Sequence, residues 1–265
     1  MNKVQPFTLP DLLEHNLSER ADKIALLHGQ DTITYGELAH EVERWARKLA
    51  ALGVEKGDRV CIHLPKSFQE VVATLAVSTV GGLFTNVTSV ATTRMLAHVL
   101  RDSGAKVLVT NRRRAVELIE HECPDSLESI IADDVEELTS PVPLHAWENI
   151  PEDEYLGTRL IDRDNCAIIY TSGSTGAPKG VLLSHETVTQ SARAAATHLG
   201  NGVDDRILGV LPLSFDYGLS QLTTMLLVGG TLVLPKANLP VELRRSIEYG
   251  DVNGLAMVCL LYTSD

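Results

Sequence analysis

The chain has 265 residues, of which 44% are hydrophobic and 22% charged, ordinary globular usage that excludes a disordered or fibrous class. Its 23 Lys and Arg against 35 Asp and Glu leave a formal charge of −12, which argues against nucleic acid or an anionic membrane as partner, because both need a basic field. The length suggests one large or two moderate domains, and any phosphate binding has to be local.

The opening MNKVQPFTLPDLLEH lacks the apolar segment of a signal peptide. Residues 11–21 read as helical, and KIALLHG and DTITY as two short strands joined by a polar turn. A long helix begins near Gly36. Leu38, Val42, Trp45, Leu49 and Leu52 recur on one face of it, with Glu41, Glu43, Arg44 and Lys48 largely on the other, and Gly53 with EKGD ends it. The chain then alternates: RVCIHL strand, SFQEVVATLAVSTV helix, LFTNV strand, TTRMLAHVLRDSG helix, AKVLVT strand. After an acidic, proline-containing stretch at 133–164, read as a surface excursion rather than a linker, come strands at CAIIYTS, RILGVLP, GTLVLP and VNGLAMV with helical segments between. Strands alternating with helices imply βαβ units, an α/β class, and parallel sheet covered on both faces. The apolar runs VVATLAVSTVGGLF and LTTMLLVGGTLVLP are short and broken by Gly, Ser and Thr, so no membrane span is expected. Cys61, Cys123, Cys166 and Cys259 form no CxxC pair and are too sparse for a disulfide framework, which makes a reducing cytoplasm the natural setting.

YTSGSTGAPKG, residues 170–180, follows one of these strands, where open α/β sheets place their ligand sites. Gly173 and Gly176 let backbone approach an anion, Ser172, Ser174 and Thr175 add hydroxyl donors, and Lys179 adds a positive charge. A phosphate cradle is the specific reading, and a turn-rich surface loop with a mobile lysine is the bland one. GSTGAPKG fits neither the P-loop spacing nor the GxGxxG fingerprint, and no GxSxG is present, so two common nucleotide motifs and the serine-hydrolase elbow are excluded. His63, His98, His121 and His185 show no zinc-motif spacing, and no metal-ligand role is assigned to them.

These residues resemble the phosphate-binding signature of the adenylate-forming (AMP-binding) superfamily, which includes acyl-CoA synthetases and amino-acid adenylation domains. TITYGEL, LPLSFDYGLSQL and GGTLVLP agree with the family in order, so the resemblance covers nearly the whole chain. It implies the N-terminal domain fold of these enzymes, two doubly wound α/β subdomains: 1–55 with 198–258, and 56–197 carrying the phosphate loop. It further implies ATP-dependent activation of a small carboxylic acid as an acyl adenylate, with Mg²⁺ bridging the phosphates. Transfer to CoA would follow, or to a carrier-protein thiol for an amino acid; a non-catalytic nucleotide-binding module is the other alternative. Thr171, Ser172, Gly173, Ser174, Thr175, Gly176 and Lys179 would hold the β- and γ-phosphates, with Thr175 and Lys179 foremost in catalysis.

Phe215, Asp216, Tyr217 and Gly218 would lie at the acid pocket. Ser214 and Phe215 stand where acyl-CoA synthetases commonly carry Phe and His, which weakens the CoA reading. Asp216 matches the aspartate that amino-acid adenylating relatives use for the substrate amine, and its alternative is an exposed N-cap of the helix at 217–228. STVGGLFTNVTSV lacks the family's lysine and proline. Motifs for the adenine, the ribose and a C-terminal catalytic lysine do not occur in these residues, so the chain is expected to be an N-terminal fragment without turnover of its own. Residues 259–265, CLLYTSD, break the family pattern and can be encoded by TGTCTCTTATACACATCTGAC, which resembles a transposon end used in library preparation; a non-native tail is expected there.

Overall fold

The computed structural model describes residues 5–121, 123–152, 155, 157–171, 178–237 and 239–256. In chain order the first elements are α1 (Leu9–Glu14), α2 (Leu17–Arg20), β1 (Ile24–His28), β2 (Asp31–Thr34), α3 (Tyr35–Ala51), β3 (Arg59–His63), α4 (Phe68–Thr79), β4 (Leu83–Asn86), α5 (Thr93–Ser103) and β5 (Val107–Thr110). There follow α6 (Arg112–His121), β6 (Ser129–Ala132), β7 (Leu144–Ala146), a 3₁₀ turn (Trp147–Asn149), β8 (Asn165–Thr171), β9 (Lys179–Ser184) and α7 (His185–Leu199). The last are β10 (Arg206–Leu208), α8 (Asp216–Val228), β11 (Thr231–Leu234), α9 (Pro240–Gly250) and β12 (Gly254–Leu255).

The chain forms two compact units, Met1–His40 with Lys66–Phe68 and His185–Asp265, and Glu41–Pro65 with Gln69–Ser184. α7 packs on α8 and α1 within the first unit.

In the first unit the sheet order is β12-β10-β11-β1-β2. All its pairings are parallel except β1 with β2, whose short connection only permits an antiparallel hairpin. Leu27, Leu208, Val210 and Val233 form the core on one face with Leu243, Tyr249 and Val252 packed against them. The helical region read at 11–21 is two helices. Thr8 and Asp11 make a reciprocal capping box that starts α1 early. Buried Asn16 then donates to the Leu12 carbonyl at 3.0 Å and the Leu226 carbonyl at 2.8 Å. His185, buried at the start of α7, accepts the Leu9 N–H on Nδ1 at 3.0 Å, satisfying an otherwise orphaned donor at the α1 N-terminus.

The second unit has the sheet order β7-β6-β5-β3-β4-β8-β9, parallel except where β9 runs antiparallel to β8. Each mainly parallel sheet thus carries one antiparallel strand at its edge, β2 in the first unit and β9 in the second. Strands alternate faces: Cys61, Leu108, Ile130 and Ala132 join α5 and α6 residues in one core, while Val60, Ile62, Val107, Val109 and Ile131 are buried on the other side. α4 is buried from Glu70 to Ser78, which accounts for the apolar run in its sequence. The stretch 133–164 stays in this unit and supplies β7 at the sheet edge. No helix among the described residues is long and apolar enough to cross a membrane.

Candidate functional site

The glycine-rich segment joins β8 to β9. Of its candidate residues, Thr171 and Lys179 are described, whereas Ser172, Gly173, Ser174, Thr175 and Gly176 lie outside the described residues. Thr171 and Lys179 are Cα partners in the β8–β9 ladder, one step beyond Tyr170 and Gly180. Directly opposed residues of an antiparallel pair project to the same face with Cβ atoms about 5 Å apart. A hydroxyl and an ammonium thus stand side by side, both exposed, at the base of the segment.

The neighbouring pair faces the other way. The Tyr170 ring covers Gly180, where a β-carbon would meet Ile168 Cγ2 at 2.7 Å and Tyr170 Cζ at 3.2 Å, so this glycine is required by packing. The Tyr170 hydroxyl donates to Asp102 Oδ2 at 2.6 Å. Burial first, then this carboxylate, pushes the phenol well above its ordinary pKa and keeps it a neutral donor. His98 sits edge-on to Tyr170 with ring centroids 6.3 Å apart, and its Nε2–H donates to the Pro178 carbonyl at 3.0 Å.

The other candidate residues lie in the first unit, where LPLSFDYG leads from β10 into α8. Leu211 and Leu213 are buried and anchor the segment, and Lys66 Nζ donates to the Gly209 carbonyl and, at 2.8 Å, to the Leu211 carbonyl. Phe215 is the N-cap residue of α8 with no side-chain cap bond, so Asp216 is the first helical residue rather than the cap. Its Oδ1 accepts the Tyr217 N–H at 2.7 Å, and the side chain is exposed beside half-exposed Phe215 and Tyr217. Gly218 is buried against the Pro212 carbonyl.

A cavity of about 330 Å³ in this unit is lined by Tyr217, Ser220, Gln221 and Thr224 of α8, Asn201 after α7, and Leu255 of β12, among others. Tyr217 belongs to its lining; Phe215, Asp216 and Gly218 do not. Asp205 fastens one end. Burial opposes its charge, but hydrogen bonds from the Gly202 N–H at 2.8 Å and from Asn201 and Asn253 at 3.0 Å each outweigh it and hold its pKa below the usual carboxylate range. Gln221 Oε1, Thr224 Oγ1 and Asn201 Oδ1 are buried without hydrogen-bond partners among the described residues. Such groups are rare in native interiors, and a lining that carries three of them suits a molecule bearing N–H or O–H groups. Sequence reasoning missed all three, since only the packing of α7 against α8 brings Asn201 beside Gln221 and Thr224.

The family model described as AMP-binding enzyme matches residues 13–259. Malpibaldin synthetase of Mortierella alpina is 31% identical over 88% of this chain and 4% of its own length. The L-proline–[L-prolyl-carrier protein] ligase of Streptomyces coelicolor is 30% identical over 79% of this chain and 41% of its own length. Among solved structures, O-succinylbenzoate coenzyme A synthetase of Bacillus subtilis in complex with AMP superposes with a TM-score of 0.79 at 27% identity, covering 94% of this chain and 62% of that one. The chain thus spans less than half the length of these two curated relatives, and its fold is that of the N-terminal domain of adenylate-forming enzymes.

Proposed function

The chain belongs to the AMP-binding enzyme family, and we propose that its glycine-rich segment grips the phosphates of ATP while the β10–α8 region receives a carboxylic acid. The acid's carboxylate attacks the α-phosphorus, an acyl–phosphate anhydride forms, and the bond to pyrophosphate breaks. Negative charge grows on the departing pyrophosphate, so donors must already point at it. Thr171, Ser172, Gly173, Ser174, Thr175 and Gly176 supply hydroxyl and backbone donors in this reading, and Lys179 supplies charge. The observation that carries it is the cross-strand pairing of Thr171 with Lys179 at the base of the segment. Mg²⁺ bound together with the triphosphate would supply neutralising positive charge beside Lys179.

The acid is one that carries hydrogen-bond donors, which the unpartnered oxygens of Gln221, Thr224 and Asn201 favour over a plain hydrocarbon chain. Of Phe215, Asp216, Tyr217 and Gly218, Tyr217 lines this cavity, and exposed Phe215 and Asp216 adjoin it in the chain. The acyl group passes next to a thiol, that of CoA in the first reading. A second reading, amino-acid transfer to a carrier-protein thiol, is favoured by the similarity to the L-prolyl-carrier protein ligase and by the Asp216 carboxylate, which has no ion pair among the described residues.

The test is ATP–pyrophosphate exchange by the protein containing this chain, over fatty, aryl, hydroxy and amino acids, followed by acyl transfer to CoA or to a carrier protein. Lys179→Ala is expected to slow exchange roughly 10²–10³-fold, as loss of one preorganised donor does, with little change in melting temperature because Lys179 is exposed. Full exchange activity in the variant would refute the phosphate role.

A further inference from the structure

α5 is a rigid element. Thr92 caps its start by accepting the Met95 N–H at 3.3 Å, left-handed Gly104 ends it, and Leu96, Ala97, Val99 and Leu100 bury its inner face. His98 and Asp102 are four residues apart and so share one side of this helix. From there the two side chains reach opposite stems of the glycine-rich segment. Asp102 accepts the hydroxyl of Tyr170, the residue before Thr171 on β8. His98 donates to the carbonyl of Pro178, the residue before Lys179 on the return strand. The Tyr170 ring, packed over Gly180 and edge-on to His98, fills the space between.

We propose that His98 and Asp102 are positioning residues, a two-point clamp on α5 that fixes the spacing of the loop stems and thereby the positions of Thr171 and Lys179. This rests on the phosphate-binding reading of the segment. Neither side chain touches the phosphate: Tyr170 and Gly180 project from the face of the hairpin opposite to Thr171 and Lys179. The clamp acts on affinity through geometry, since groups aimed at an anion lose effect when their support loosens. It also accounts for a histidine that forms part of no metal cluster among the described residues.

The experiment uses inorganic tripolyphosphate with Mg²⁺ as probe, because it presents phosphates without adenine or ribose. Binding to this chain is measured by titration calorimetry alongside hydrogen exchange at the Thr171 and Lys179 amides and a thermal melt. His98→Leu and Asp102→Ala are each expected to weaken binding roughly three- to tenfold, the range set by the net worth of one hydrogen bond, and to speed exchange at both amides, with the melting temperature held. His98→Gln and Asp102→Asn, which keep a donor and an acceptor at these points, should restore binding.

Wild-type affinity in both disruptive variants would overturn the clamp and leave the phosphate reading intact. Weakened binding with unchanged exchange at Thr171 and Lys179 would overturn it too, since the stems would not be the route. No binding by the unaltered chain would overturn the phosphate reading and the clamp with it.

Discussion

Replacing Gly218 by Ala tests the packing of the first turn of α8 against the segment that precedes it. A β-carbon there would lie 2.0 Å from the Pro212 carbonyl oxygen, 2.7 Å from its carbon and 2.9 Å from the Leu211 carbonyl oxygen, against an ordinary contact of 3.4–4 Å. Two effects oppose each other. Alanine in place of glycine favours a helix by at most about 1 kcal/mol. Overpacking against groups that cannot turn away costs typically 1–3 kcal/mol. The obstructing atoms are backbone, and the Pro212 carbonyl is also held as acceptor of the Phe215 N–H at 3.1 Å. The upper end of the range, about 3 kcal/mol, therefore applies. The balance is a net loss of about 2 kcal/mol, or a fall of about 4–8 °C in Tm for a chain of this size. Scanning calorimetry measures it, with Gly202→Ala as control, since a β-carbon at Gly202 meets nothing within 4 Å. A Gly218→Ala protein that melts at or above the wild-type temperature would show that α8 and the segment before it do not approach as described.

Tyr35 is fully buried, and its hydroxyl donates to the carbonyls of Gly230 at 2.8 Å and Met225 at 3.1 Å. Tyr35→Phe leaves both acceptors without this donor and should cost about 1–3 kcal/mol in urea unfolding with an unchanged m-value; a loss under about 0.5 kcal/mol would mean that water replaces the phenol. His63 is buried, and burial lowers its pKa more than the Nδ1–H bond to the Val87 carbonyl raises it. The folded state therefore binds its proton less readily than the unfolded chain. The stabilisation is whole above the unfolded value of about 6.5 and is lost as pH falls through that value toward the folded one, at up to about 1.4 kcal/mol per pH unit. His63→Asn keeps a donor near Val87 without the titration, so its stability between pH 7 and 5 should decline less steeply; an identical slope would assign the acid sensitivity elsewhere.

The order β1, β2, α3, β3, α4, β4, α5, β5 was legible because each of these segments carries its own period and punctuation. Leu38, Val42, Trp45 and Leu49 lie four or three apart and are buried, and Gly53 adopts the left-handed backbone that ends the α3 region. β9 was not legible. Its run KGVLLS lies mostly exposed at a sheet edge, with Val181 and Leu182 among the exposed apolar residues, so it shows no alternation to read. α6 hid behind three consecutive arginines: Arg113 and Arg114 pair with Glu117 within the helix, but Arg112 reaches Asp134 and Arg114 the Ser89 carbonyl only once the sheet has formed. Asp216 left two readings open in the sequence, and the fold removes the N-cap one by making it the exposed first residue of α8.

By itself the sequence determined the α/β class and the family, because these depend on local spacing of hydrophobes, glycines and donors. Only the tertiary structure decided which residues oppose one another: Thr171 with Lys179, Tyr170 over Gly180, His98 and Asp102 at the two stems, Gly218 under the Pro212 carbonyl. Strand register and close backbone approach are set by partners 80 or 68 residues away, as for His98–Pro178 and Tyr170–Asp102. No local period encodes such distances; they exist only once the sheet has chosen its order.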